Sequence, residues 1–160
     1  MAHCDPEGCH FLAATRQAYP NGIIKSKDGL IYIANSATDE VLVNELQSEG
    51  TTLKLVDKIK IPHPIDNLAA DSNGDIFVAS LPHLLKYLKS TESPFDILPP
   101  TAAWRIRKNA DNTYQVDKVL EDDGTILPSA AIVVHDPQTG RMFLGGEFKA
   151  GSSRISKKLK

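Results

Sequence analysis

Hydrophobic positions in this chain fall into short runs that are separated by polar turns containing a glycine. The stretch NGIIKSKDGLIYIANS, residues 21–36, has an apolar strand before such a turn and a second strand, apolar on both faces, after it. This pattern is typical of a β-hairpin. The segments EVLVNELQSEG and TTLKLVDKIKI that follow are alternating in character, which predicts two further strands.

The same pattern recurs 45 residues later, where DNLAADSNGDIFVASL aligns with the first copy and places Gly74 on Gly29 and Phe77 on Tyr32. WRIRKNADNT and YQVDKVLEDDG supply the third and fourth strands of this copy. A third copy, AAIVVHDPQTGRMFLGG, has one extra residue in its turn. Antiparallel units of four strands at a period of about 45 residues are typical of β-propeller blades. The sequence therefore predicts an all-β fold, a β-propeller fragment of about two and a half four-stranded blades.

Two segments interrupt the repeat. Residues 82–101 predict a short helical insertion followed by a Pro-rich connection, and CHFLAAT predicts the outer strand of a preceding blade. A propeller closes with about four to eight blades, so we expect the C-terminal half of a ring with open faces on its first and last blades. We predict a partial propeller domain over 1–148 and a basic, disordered tail without a strand over 149–160.

Composition and charge exclude several classes of function. The formal net charge of −2 provides no field that would attract nucleic acid or an anionic membrane, and nucleic-acid binding by the basic tail is a minor alternative. No apolar run reaches the roughly 18 residues of a spanning helix. Asp5 and Glu7 lie where a secretory signal would need basic and apolar residues, so the chain as written shows no export signal, and its compartment stays open.

The two cysteines, Cys4 and Cys9, flank the turn segment DPEG. We expect two free, partly buried thiols. A disulfide across the turn is one alternative. A zinc site that adds His3 and His10 is another, although no second pair with the spacing of a zinc knuckle follows.

Oxygen-bearing side chains occupy matching positions in the first two copies. Asn21 and Asp66 each lie eight residues before the turn glycine, and Asn67 follows Asp66. In adjacent blades these residues would begin the innermost strands and point toward one channel, where carboxylate and amide oxygens suit a Ca²⁺ ion. The third copy has Ala131 and Ile132 at this level, so we expect no ligand from it. A local role in turns, through bonds to their own backbone, remains open.

At these residues the chain resembles a known family. YPNGI, IDNLAADSNGDIFVAS and VVHDPQTGRMFLGG are similar to the C-terminal half of the paraoxonase and arylesterase family, in the fungal branch of the gluconolactonase-like six-bladed propellers. The resemblance implies a calcium-dependent hydrolase of small-molecule lactones and aryl esters, with one channel Ca²⁺ that polarises the substrate carbonyl. By position, Asn21, Asp66 and Asn67 match three of the calcium ligands of that family.

The departures from the family pattern concern the rest of its site. Its other calcium ligands, its proposed histidine base and its second calcium site belong to the N-terminal half, and its closing strand after LGG is replaced by the basic tail. Leu81 and Pro82 stand where some members carry a histidine, and His83 is two positions out of register. His135 is interpreted as a side chain at a strand end rather than a base.

Two functional hypotheses follow. The first is a truncated calcium-dependent hydrolase of the paraoxonase type, with weak calcium affinity and no activity as an isolated chain. The alternative is a non-catalytic half-propeller that self-associates through its open blade faces. A lyase of the strictosidine synthase type on the same fold is disfavoured, because no base candidate is visible in the channel.

Overall fold

The computed structural model describes residues 2–12, 17–47, 50–146 and, by backbone only, 153–155. Within these ranges the chain forms thirteen strands in four antiparallel sheets and one short helix, which confirms the predicted all-β class. A hairpin of β1 (Ala2–Asp5) and β2 (Gly8–Phe11) comes first. The first sheet contains β3 (Pro20–Lys25), β4 (Ile31–Asn35), β5 (Glu40–Leu46) and β6 (Leu53–Lys60). The second contains β7 (Ile65–Ala70), β8 (Ile76–Ser80), β9 (Thr101–Lys108) and β10 (Tyr114–Asp122). The third contains β11 (Ala130–Asp136), β12 (Arg141–Gly146) and β13 (Ser153–Ile155).

The three larger sheets repeat one local design. In each, the strands pair in chain order, so that the predicted strands of the first two copies are confirmed. The first two strands of each sheet are joined by a turn whose glycine has a positive φ, 82° at Gly29, 94° at Gly74 and 65° at Gly140. This left-handed conformation favours glycine because it has no side chain to clash with the backbone. The sequence repeat is therefore a structural repeat.

The sheets pack face to face in succession. Tyr32 and Ala34 of the first sheet are buried against the second, and their repeat equivalents Phe77 and Ala79 are buried against the third. Equivalent residues thus fill successive interfaces. This is the packing that adjacent blades require, and the closed ring itself stays a prediction. The core between the first two sheets includes Val41, Val43, Ile65, Leu68, Val78 and Ile106.

The outer face of the third sheet is apolar and open. Phe143, the repeat equivalent of Phe77, is 42% exposed, and Ile132 and Val134 on the same sheet are 37% and 44% exposed. Their sequence neighbours Val133 and Leu144 are buried against the second sheet. The alternation of strand side chains therefore leaves one apolar face without a packed sheet among the described residues.

The expectation of two free thiols is wrong. Cys4 and Cys9 are directly paired across β1 and β2, with Cα atoms 4.1 Å apart, and form a disulfide. A zinc site through these sulfur atoms is thereby excluded as well. The sequence shows only that the two cysteines flank a turn. They can bond because the register of β1 and β2 places them directly opposite each other.

The helical insertion and the C-terminal tail have different outcomes. Helix α1 (Leu84–Ser90) confirms the helical insertion. The prediction of a tail without a strand is wrong for Ser153–Ile155, which forms β13 and pairs with β12. The rest of 149–160 lies outside the described residues, so that the predicted disorder stays a prediction. Of CHFLAAT, residues 9–11 belong to β2 of the first hairpin and residues 13–15 lie outside the described residues, so that an outer blade strand there also stays a prediction.

An ion pair ties the first sheet to the second at the turn end. Asp28 accepts hydrogen bonds from Lys108 Nζ and from the Tyr32 hydroxyl, each at 3.1 Å. Burial raises the pKa of Asp28, but the bonds from Lys108, from the backbone of Leu30 and from Tyr32 outweigh this, so that the pKa lies below its usual value. The stability that this carboxylate contributes is present above the unfolded pKa of about 3.9 and is lost as the pH falls through the folded value.

Replacing Asp28 by asparagine should therefore lower the free energy of unfolding at neutral pH by about 0.5–1 kcal/mol, a modest figure because the pair is partly exposed to solvent. The variant should also lose less stability than the wild type between about pH 5 and pH 3. Urea denaturation over this pH range measures both effects, with the exposed Asp57→Asn as control. Parallel pH profiles for wild type and Asp28→Asn would contradict the prediction.

Candidate metal centre

The first strands of the three larger sheets share an irregularity near their beginning. The pairing shifts between Pro20 and Ile23 in β3, between Ile65 and Leu68 in β7, and between Ala130 and Ile132 in β11. A β-bulge leaves the extra residues off the ladder and re-aims their side chains. The residues released in this way are Asn21 and Gly22, Asp66 and Asn67, and Ala131.

The structure brings the three predicted site residues together. Asn21 Nδ2 donates to Asp66 Oδ1 at 2.6 Å across the first two sheets, and Asn67 Nδ2 donates to the same oxygen at 3.0 Å. Asp66 is only 8% exposed. A purely local role of Asn21 in a turn would not explain its hydrogen bond to Asp66, because the two residues are 45 positions apart. The predicted proximity is confirmed, whereas the role of these residues as metal ligands stays a prediction.

The third sheet adds a backbone oxygen that the sequence did not reveal. Asn67 Nδ2 also donates to the carbonyl oxygen of Ala131, at 3.2 Å. The expectation that the third copy offers no ligand considered side chains alone. A carbonyl is available at every position, and only the bulge in β11 indicates that this one is turned toward the cluster.

Gly22 allows the first two sheets to approach. A Cβ atom at this position would lie 2.8 Å from Asn67 Cα and 2.9 Å from Leu68 N, both of which are backbone atoms. Such distances are too short for any side chain. The absence of a side chain at Gly22 therefore sets the spacing that brings Asn21 to Asp66.

The donor set fits a hard cation. Asp66 provides a carboxylate, the two asparagines provide amide oxygens after rotation of the amide, and Ala131 provides a carbonyl. Ca²⁺ is bound by this mixture of oxygens. Among the described residues no group of three or more His, Cys, Asp or Glu could hold a metal ion.

His135 lies at the other end of the sheets. Its Nδ1 is 2.8 Å from Asp71 Oδ2, just beyond the end of β7, whereas Ala131 and Asp66 lie near the beginnings of β11 and β7. This position agrees with the interpretation of His135 as a residue at a strand end. His83 directly precedes α1.

The fold and the cluster together define an all-β repeat protein with a candidate hard-cation site. A family model described as Arylesterase matches residues 6–152, and the chain belongs to this family. The resemblance to paraoxonases and arylesterases is thus confirmed. The cluster of Asn21, Asp66 and Asn67 lies inside the matched region.

The other comparisons add little. No curated protein matches the chain. A solved structure of a protein of unknown function from Bacteroides caccae is 17% identical, with a TM-score of 0.48 over 79% of this chain. The chain spans 38% of the length of that protein. Among the described residues no helix is both long and apolar enough to cross a membrane.

Proposed function

We propose that this chain is part of a calcium-dependent hydrolase of lactones and aryl esters, and that Asn21, Asp66 and Asn67 are calcium ligands. Membership of the arylesterase family indicates a paraoxonase-like hydrolase. The observation that supports the finer proposal is the meeting of Asn21 and Asp66 from two sheets on one carboxylate oxygen.

Each residue of the cluster has a distinct role in this proposal. Asp66 supplies the negative charge, and its burial strengthens its attraction for a cation. Asn21 and Asn67 hold that carboxylate in place by hydrogen bonds and can offer their own amide oxygens by rotation. When bound, Ca²⁺ would supply Lewis-acid polarisation of the ester carbonyl and stabilise negative charge on its oxygen.

Calcium should stabilise the isolated chain weakly, because the cluster provides fewer than the six to eight oxygens that Ca²⁺ takes. For a Kd on the order of 1 mM, about 10 mM calcium would add about 1.4 kcal/mol and raise the thermal midpoint by roughly 3–6 °C. Asp66→Ala should abolish this shift, because it removes the only carboxylate of the proposed ligand set. Thermal unfolding with and without calcium measures it.

Asp57→Ala is the matched control, because it removes the same charge from an exposed position on β6 and should leave the calcium shift unchanged. A shift that persists in Asp66→Ala, or none in the wild type, would overturn the ligand assignment. We expect negligible hydrolysis of phenyl acetate or lactones by the isolated chain. Turnover that Asp66→Ala abolishes would contradict that expectation of inactivity.

The open face of the third sheet favours a second candidate, a non-catalytic module that self-associates. Its apolar residues Ile132, Val134 and Phe143 lie where a further sheet could pack. Burial of such a face would stabilise a dimer through the hydrophobic effect.

Light scattering tests this candidate. The module predicts a dimer that is indifferent to EDTA and that Val134→Lys converts to a monomer, because the ammonium group would be buried without a partner. Val56→Lys is the control, since Val56 has a similar exposure of 45% but lies on β6 of the first sheet. A monomeric wild type would exclude the module.

A further inference from the structure

A second polar cluster lies between the second and third sheets, at the turn end that is remote from Asp66. A cavity of about 320 Å³ opens there, and its lining includes Asn73, Arg105, Arg107 and His135. The volume is at the lower end of the range for small-molecule sites. This cavity is separate from the residues of the proposed metal centre.

His135 is held in one orientation inside this cluster. Its Nδ1 is 2.8 Å from Asp71 Oδ2, and the two side chains are 9% and 0% exposed. The other oxygen of Asp71 accepts the backbone N–H groups of Asn73 at 2.8 Å and of Asp75 at 3.1 Å. Because a carboxylate only accepts, the Nδ1 of His135 carries a proton. The ring lies 4.6 Å from that of Phe77, which fixes its plane.

The second ring nitrogen of His135 has no assigned role. Its Nε2 is buried without a hydrogen-bond partner among the described residues. Buried side-chain nitrogen atoms normally have a partner, because desolvation without a hydrogen bond is costly. This atom therefore indicates a binding partner that the described residues do not provide.

Arg105 has the same feature in the same cavity. One terminal nitrogen donates to Asp117 Oδ2 at 2.8 Å, which anchors the guanidinium, while the buried Nε has no partner among the described residues. Arg105 is the cross-strand neighbour of Phe77, so its side chain leaves the sheet on the side that faces His135. Both residues that carry an unsatisfied buried nitrogen atom in this region thus line one cavity.

We propose that this cavity binds a small oxyanion, a carboxylate or a phosphate, between Arg105 Nε and His135 Nε2. An oxyanion can accept from both nitrogens, and charge-assisted bonds of this kind are the strong ones. The existing carboxylates are already engaged, Asp75 by both nitrogens that Arg107 directs at it and Asp117 by Arg105. The site does not depend on the proposed hydrolase function.

An oxyanion accepts from Nε2 only when the imidazole ring is doubly protonated, so the bound state carries a proton on both ring nitrogens. The charged groups around the ring are Asp71 at Nδ1, Asp136 next to it on β11, and Asp75, Arg105 and Arg107 of the second sheet. The negative charge of Asp71 and that of the ligand would stabilise the imidazolium from its two sides.

Isothermal titration of the full chain with acetate and with inorganic phosphate tests the site and distinguishes the two ligand classes. Titration in two buffers of different ionisation enthalpy measures how many protons accompany binding. Arg105→Lys keeps the charge but removes the Nε donor, and His135→Gln removes Nε2; each should weaken binding about tenfold or more. Lys108→Gln is the control, since Lys108 bonds to Asp28 of the first sheet, outside the cavity, and its loss should change affinity by less than about twofold.

Nitrogen NMR of the wild-type histidine rings provides a readout that does not depend on the folding of a variant. On saturation, both nitrogens of one histidine ring should be protonated and the signal of its Nε2 should shift, and this change should be absent from His135→Gln. Saturable binding of either anion with these changes would support the site. No saturable binding of either anion, or equal weakening by Lys108→Gln, would overturn it.

Discussion

Replacing Phe77 by alanine should destabilise the chain by about 3–5 kcal/mol. Phe77 is 0% exposed and lies between the second and third sheets, where it packs in one cluster with Ala103, Val133 and Met142. The substitution would leave a cavity at the centre of this interface, and it would also remove the ring contact with His135. The free energy of unfolding from urea denaturation measures the loss.

Phe95→Ala is the control, because it makes the same side-chain substitution at another position. Phe95 is 79% exposed, so its loss should alter stability by less than about 0.5 kcal/mol. An equal effect of the two substitutions, or a loss below about 1 kcal/mol for Phe77→Ala, would show that the two sheets do not pack as described.

Replacing Gly22 by alanine should separate the first two sheets at the candidate metal centre. The new Cβ would lie 2.8 Å from Asn67 Cα, and a backbone atom cannot move aside as a flexible side chain can. We expect a loss of about 1–3 kcal/mol of stability, typical of overpacking. Displacement of β3 should also break the bond of 2.6 Å between Asn21 and Asp66 and abolish the thermal shift with calcium.

Gly145→Ala is the matched control, because the nearest atom to its new Cβ is the Cγ2 methyl of Ile132, a side-chain atom rather than backbone, at 3.3 Å. A shift of a few tenths of an ångström by this half-exposed side chain relieves the contact, so this variant should lose less than about 1 kcal/mol and keep the calcium shift. If Gly22→Ala is as stable as the control, β3 and β7 do not approach as closely as the structure shows. If it is destabilised but keeps the full calcium shift, Asn21 is not a ligand.

The repeat could be predicted from the sequence because it depends on local patterns. Alternation within strands and the turn glycines at Gly29, Gly74 and Gly140 fix which side chains share a face, and the offset of 45 residues aligns Asn21 with Asp66. The proximity of these two side chains follows once equivalent strands lie side by side. In this fold, β3 and β7 do so.

Other features depend on which strands meet, and no local pattern encodes this. The bulge that turns the Ala131 carbonyl toward Asn67 has no residue signature in AAIVV. The Asp71–His135 pair joins residues that are 64 positions apart on different sheets. The disulfide was missed because two cysteines beside a turn can face each other or not, and the pairing of Cys4 with Cys9 is set by the strand register.

The order of strands in the three larger sheets also affects how the chain can fold during its synthesis. In the first two sheets every strand pairs with a neighbour in sequence, so most of the loops that must close are short and lose little entropy. The exception is the connection from β8 to β9, which contains α1. All strands of the first sheet have emerged once Lys60 has left the ribosome, before any strand of the second has emerged. The protein can therefore fold from its N-terminal side during translation, and each completed sheet then offers a surface on which the following one assembles.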